Sequence, residues 1–315
     1  MLRSFERLVP VRRGSRRWRS CLVSVLALLV VAVAVGLAQG AELEGTLMFL
    51  HVWKCGGTSL RRLVCNWADS EDLSWGTVAG CRGLSLQDRK ICLVNYKLIF
   101  PEVQENFIAK QRVLAGHFQW GFQAYAAEPH LLITMLRNPL ELYVSGQQYL
   151  NRRATATLPD AMRFLTNAMH RSMQGTQPPG FLHRFVGGSV ITPGDVRDAT
   201  IAGARNLKTF WLVGVVEQYE GFIAVMEALL DPSGRHSSLW SDHVNQKLNV
   251  SPVSSLDVLA ELDPRLVEQF NSTLSYQWLV YGHAVRLFES RCHEVLTWRL
   301  HADFCHVASP PIAYY

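Results

Sequence analysis

The chain has 315 residues and a formal net charge of +5, with 31 Lys and Arg against 26 Asp and Glu. That excess sits at one end: residues 1–40 hold seven arginines and one glutamate, which leaves 24 basic against 25 acidic residues in the remainder. A near-neutral body gives no basis for a broad polyanion-binding face, which counts against nucleic acid as a partner. The chain past that end is long enough for one large domain with a substantial core.

In chain order, residues 1–20 form a basic tail. Residues 21–38 are uncharged and mostly apolar, close to the ~20 residues that span a bilayer. The arginines before them, with Glu42 and Glu44 after, keep the N-terminus in the cytosol and send the rest to the lumen. One reading is an uncleaved signal-anchor followed by a short stem, 39–45. The other is cleavage at the small-x-small sequence Ala38, Gln39, Gly40, which gives a secreted product. Either delivers a domain spanning 46–306 to the secretory pathway, followed by a C-terminal tail, 307–315.

Residues 46–52 are an apolar run that predicts a buried strand. Residues 59–67 predict a helix with Thr58 or Ser59 near its N-cap. Between the two lie Trp53, Lys54, Cys55, Gly56 and Gly57. A strand, a glycine turn and a helix start together make an anion cradle. Glycines let backbone N–H groups converge, and a helix N-terminus favours negative charge. Lys54 adds a full charge, and Thr58 and Ser59 add hydroxyls. The expected ligand is a phosphate or a phosphosulfate. A nucleoside triphosphatase loop, G-x-x-x-x-G-K-[ST], sets its lysine after the glycines. Here Lys54 precedes them and no such match occurs in the chain, which counts against a kinase.

A short strand at 113–117 ends in Gly116 and His117. Another at 131–136 leads into Arg137, Asn138 and Pro139, then a helix over 139–151 that carries Ser145. Proline suits a first helical turn. Arg137, at the strand's carboxyl end, can bind a phosphate bidentately. Further helical patterns cover 160–172, 195–207, 218–230 and 264–290, with a strand at 210–216. Residues 171–180 and 232–256 read as irregular. The alternation predicts an α/β fold, a parallel sheet covered by helices, with anion loops at the strands' carboxyl ends.

The loop, read as H-x-x-K-x-G-G-T-S, resembles the 5′-phosphosulfate loop of the membrane-bound carbohydrate sulfotransferases, especially the heparan sulfate 2-O/6-O type, whose loops read H-I-P-K-T-G-G-T-S. Trp53 stands at the proline and Cys55 at a threonine. Arg137 and Ser145 fall on that family's T-x-L-R-D-P-x-x-R-x-x-S-x-Y element, with Asn138 at the aspartate and Tyr143 at the second arginine. His117 falls on its G-H-x-x-W/Y-G element. Weaker matches lie at 181–188 (Arg184), at 210–222 (Glu217, read as support for the site), at 246–251, and at 278–288, where Gln277 stands for an aspartate. The resemblance covers residues 45–290.

It implies a P-loop-like open parallel sheet flanked by helices, behind an N-terminal membrane anchor. It implies 3′-phosphoadenosine 5′-phosphosulfate as the donor, a hydroxyl of a glycan as the acceptor, and a single-pass type II protein of the Golgi membrane. By that resemblance His117 is the catalytic base and Lys54 binds the bridging oxygen. Lys54, Cys55, Gly56, Gly57, Thr58 and Ser59 hold the 5′-phosphate side, Arg137 and Ser145 hold the 3′-phosphate, and no metal is needed. Two alternatives stay open: a catalytically impaired nucleotide- or glycan-binding member of the same fold, and a tyrosine of a protein as acceptor.

Beyond Cys21 in the apolar segment and Cys55 in the loop, five cysteines remain: Cys65, Cys81, Cys92, Cys292 and Cys305. A lumenal location permits disulfides. Cys81–Cys92 and Cys292–Cys305 are the local pairs, but spacing alone does not fix the connectivity. No cysteine or histidine cluster has metal spacing, so no structural zinc is expected. Asn249 and Asn271 begin glycosylation sequons.

Overall fold

The run from Thr46 to Leu50 shows no alternation of polar and apolar residues, and all five are buried. That is the signature of a strand covered on both faces, as in a parallel sheet between helices. The computed structural model describes residues 43–78, 92–93, 108–118, 120–174, 195–244, 253–296 and 305–306. Within them, the strands are β1 (Thr46–Leu50), β2 (Trp75–Val78), β3 (Cys92–Leu93), β4 (Val113–Gly116), β5 (His130–Leu136) and β6 (Leu212–Val215). They form one sheet in the order β3-β2-β4-β1-β5-β6, and every neighbouring pair runs parallel.

Nine helices of seven or more residues accompany the sheet among the described residues: α1 (Gly57–Ser70), α2 (Pro139–Leu150), α3 (Leu158–Gln174), α4 (Asp195–Leu207), α5 (Tyr219–Leu230), α6 (Ser237–Val244), α7 (Ser255–Glu261), α8 (Pro264–Ser272) and α9 (Ser275–Leu296). α1 packs on β4 and β2, and α9 packs on β6, α4 and α5. The α/β class expected from the alternation is therefore observed.

Register sets the location of the site. Leu50 at the end of β1 lies opposite Gly116 of β4 and Thr134 of β5. His51 N–H donates to the Gly116 carbonyl at 2.8 Å, and Thr134 Oγ1 donates to the Leu50 carbonyl at 2.9 Å. The carboxyl ends of three adjacent strands thus release His51, His117 and Arg137 on one edge of the sheet. This is where loops of an open parallel sheet meet.

Several boundaries differ from expectation. Helix α1 starts at Gly57, with Gly56 as its N-cap, rather than at Thr58 or Ser59. The pattern at 264–290 is two helices. Thr273 Oγ1 bonds to the Phe270 carbonyl at 2.6 Å, and Asn271 Oδ1 accepts from Trp278 Nε1 at 2.7 Å. Such side-chain bonds compete with helix continuation. Segment 232–256, read as irregular, contains α6 and the start of α7. Strands β2 and β3 were not anticipated.

Cys292 and Cys305 form a disulfide with Cα atoms 5.5 Å apart. Cys81, the other half of the second expected pair, lies outside the described residues. So do residues 1–42, which include the expected anchor, the segment around Arg184, residues 246–251 with Asn249, and the tail 307–315. Among the described residues no helix is long and apolar enough to cross a membrane.

Candidate functional site

The turn after β1 carries two residues with left-handed backbone, Lys54 at φ 62° and Gly56 at φ 70°. Glycine adopts that conformation without strain, whereas a lysine there costs about 1 kcal/mol or more and persists only where the surroundings hold it. Cys55 N–H donates to the Val52 carbonyl at 3.3 Å, and the cysteine side chain is buried. Burial pushes its thiol well above the ordinary range. Cys55 therefore packs the loop against the core, and its N–H closes the turn. The first donor with an intrahelical acceptor is Leu60, whose N–H reaches the Gly56 carbonyl at 3.4 Å. The N–H groups of Gly57, Thr58 and Ser59 precede it and have no carbonyl of an earlier turn to meet. Thr58 is exposed, and Ser59 is buried.

Lys54 Nζ sits 4.6 Å from the centre of the Tyr149 ring, and the Arg152 guanidinium sits 4.6 Å from the same ring. Trp53 meets Tyr149 edge-on, with ring centres 5.6 Å apart at 83°. Burial lowers the Lys54 pKa, the Arg137 and Arg152 charges lower it further, and Cys55 opposes them. Residues 83 positions apart in the sequence, Lys54 and Arg137, thus act on one another electrostatically. The result is a cluster of cations from the loop, the end of β5 and the end of α2.

Arg137 follows β5 directly. Its Nη2 donates to Glu141 Oε2 at 2.9 Å, with both side chains mostly covered. Its Nε is buried with no hydrogen-bond partner. A buried guanidinium N–H without an acceptor is a donor an anionic ligand would satisfy. Asn138 caps α2: its Oδ1 accepts from Leu140 N–H at 3.0 Å and Glu141 N–H at 3.3 Å. Its own N–H donates to Glu217 Oε1 at 2.8 Å, and Tyr281 OH donates to Glu217 Oε2 at 2.9 Å. Burial raises the Glu217 pKa, and those two donors pull it back. Glu217 therefore ties β6, α9 and the start of α2 together beneath the site.

Ser145 is buried on α2, and among the described residues no hydrogen bond links it to Arg137. Tyr143 packs on Phe270 with ring centres 4.4 Å apart. Gln277 is buried.

His117 lies at the end of β4. Its Nδ1 is 2.8 Å from the His51 carbonyl oxygen, and its ring stacks on the His51 ring at 4.0 Å and 25°. A carbonyl only accepts, so Nδ1 carries the hydrogen and Nε2 keeps its lone pair when the ring is neutral. Burial lowers the His117 pKa and the Arg61 charge lowers it further, against the bond to His51, which raises it. His51 itself is held well below the ordinary histidine value, by burial first and then by His117 and Arg61.

The parts that sequence reasoning missed are Tyr149, Arg152, Glu141 and the His51 ring. Glu141 was legible as an i+4 partner of Arg137. The contacts of Tyr149 with Lys54 had no local signal. Among the described residues no group of three or more His, Cys, Asp or Glu is arranged to hold a metal ion.

The molecule is thus an α/β protein with a parallel sheet, a glycine loop and clustered cations at its carboxyl edge. No family model matches the chain, and no curated protein matches it.

Proposed function

We propose that the chain is a sulfotransferase that moves a sulfuryl group from 3′-phosphoadenosine 5′-phosphosulfate to a carbohydrate hydroxyl in the secretory pathway. The reading rests on one observation: Lys54 in the turn after β1, His117 after β4 with its Nδ1 on the His51 carbonyl, and Arg137 after β5 follow the carboxyl ends of three adjacent strands. That puts an anion-holding end and a base end on a single edge.

In this reading the N–H groups of Gly57 to Ser59 hold the 5′-phosphate, and Lys54 stabilises charge on the departing phosphate oxygen. Arg137 takes the 3′-phosphate through its unpartnered Nε. The bond from sulfur to the phosphate oxygen breaks with the electron pair staying on the nucleotide. A bond from sulfur to the acceptor oxygen forms, and the acceptor proton passes to His117 Nε2. Positioning and electrostatics carry the chemistry, as in phosphoryl transfer. The apolar segment 21–38 is proposed as a Golgi signal-anchor, and the mass of the mature N-terminal fragment tests it against cleavage.

Calorimetry with 3′-phosphoadenosine 5′-phosphate and with ATP is the first test. Binding of the former and not the latter supports the donor, and the reverse preference defeats it. Transfer of radiolabelled sulfate to a glycan panel then tests the activity. The Arg137–Glu141 ion pair at 2.9 Å favours a second reading, a nucleotide- or glycan-binding member without turnover, because it occupies part of the expected 3′-phosphate ligand. Nucleotide binding with no transfer to any acceptor would select it.

A further inference from the structure

We infer that the His51 ring is a positioning residue for His117, and that residue 57 is a glycine to make room for that ring. The inference rests on His117 as the base of the proposed reaction, and it concerns how the base is held.

Phe49 and His51 are two residues apart at the end of β1, so their side chains emerge on the same face. Phe49 stacks on His51 with ring centres 5.7 Å apart at 12°, and His51 stacks on His117 at 4.0 Å. Three rings therefore form a column rooted in the central strand. His51 holds His117 twice, since its carbonyl accepts from Nδ1 and its ring lies flat against the imidazole. The two contacts fix the rotamer and the tautomer, so Nε2 alone is left to meet an acceptor. His51 is only 4% exposed, and its Nδ1 is buried with no hydrogen-bond partner. A protonated His51 would carry an uncompensated buried charge, so the ring that supports the base stays neutral. The charge facing both rings is Arg61 of α1, which also opposes protonation.

Gly57 opens α1 beside this column. Its φ is not left-handed, so backbone conformation does not demand glycine there. A Cβ at 57 would instead be driven into the His51 ring, overlapping Cδ2 and Nε2. Gly56 is the contrasting case. Its φ of +70° requires glycine, while its added Cβ would meet only ordinary contacts with Met135 and Tyr219. The two glycines of the loop thus serve different ends: Gly56 turns the chain and Gly57 admits the histidine.

The test is a double-mutant cycle in the full-length protein with His51→Ala, Gly57→Ala and the pair. Each single change is expected to lower kcat by about tenfold to a hundredfold, the effect of a misplaced reacting group. The acid limb of the pH profile is expected to move to higher pH as His117 gains water. The double variant is expected to be no worse than His51→Ala, because a methyl at 57 enters space the ring has left. Losses that multiply would overturn the inference. Nitrogen-15 histidine spectra of the unmutated protein guard against variants that fail to fold. They should show His117 protonated at Nδ1 and bare at Nε2, and the opposite tautomer would overturn the inference. If no sulfate is transferred, the transferase reading has failed by itself, and the cycle is then read in the His117 titration midpoint. There His51→Ala and Gly57→Ala should each raise it and the pair should raise it no further.

Discussion

The two ends of the site are built on opposite principles. At the base end, His51 and His117 are stacked, dehydrated and held by backbone. The His117 Nδ1 bond goes to a carbonyl that no side-chain change removes. At the anion end, Lys54 and Arg152 sit over the Tyr149 ring and Arg137 pairs with the Glu141 carboxylate, so their partners are side chains. One end keeps its groups neutral by burial. The other keeps Lys54 near Arg137 and Arg152, whose like charges lower its pKa. A proton acceptor works best neutral and fixed, whereas an anion site gains from unspent positive charge that a ligand will neutralise. The contrast separates geometry from electrostatics, and mutations at the two ends should report different quantities.

The largest effect belongs to the base. His117→Ala is expected to reduce kcat by about two to four orders of magnitude, the span of general-base catalysis, with nucleotide affinity nearly unchanged. Full turnover in that variant would erase the base end altogether. Lys54→Ala should cost about two to three orders of magnitude in kcat, as for loss of one group facing developing charge, and should also weaken donor binding. Steady-state kinetics with separate binding measurements distinguish the two variants.

A third expectation concerns stability. Burial lowers the pKa values of His51, His117 and His243. The unfolded chain therefore takes up more protons than the folded one as pH falls below the ordinary histidine value of 6.5. Stability present above that value should decline as pH drops from 6.5 toward the lowered folded values. Glu217, whose pKa is raised, acts in the opposite sense: it favours the folded state at pH below 4.5, and that contribution is lost as pH rises from 4.5 through its raised folded pKa. Melting temperatures across pH 4.5 to 7.5 check this, and His51→Ala should flatten the histidine part of the slope. The smallest effect is at Glu141. Glu141→Gln frees Arg137 from its ion pair and should tighten nucleotide binding about two- to fivefold, the scale of a partly covered pair. Weaker binding would mean that Glu141 orients the arginine and does not compete for it.

Much of the frame was legible because a parallel sheet buried on both faces writes itself as uninterrupted apolar runs, as in Thr46–Leu50 and His130–Leu136. β2 escaped because Trp75, Gly76, Thr77 and Val78 are too few and too mixed for any period. α6 escaped because Ser237, Ser238, Ser241 and Asp242 read as loop. Lys54, His117 and Arg137 were legible because each follows a strand and lies within two residues of a glycine or proline. Tyr149 and Arg152 were not, because their meeting with Lys54 depends on where α2 points, about 95 residues away. Ser145 was expected to share a 3′-phosphate with Arg137; it is buried on α2 two turns past the strand end.

The account stands on one nucleotide spanning Lys54 and Arg137. Calorimetric titration of the unmutated protein and of Arg137→Ala, each with 3′-phosphoadenosine 5′-phosphate and with adenosine 5′-phosphate, tests this most directly. The prediction is a preference for the bisphosphate of about thirtyfold, ~2 kcal/mol for one charged hydrogen bond, that vanishes in Arg137→Ala. A preference that survives the substitution, or no binding of the bisphosphate at all, would contradict it.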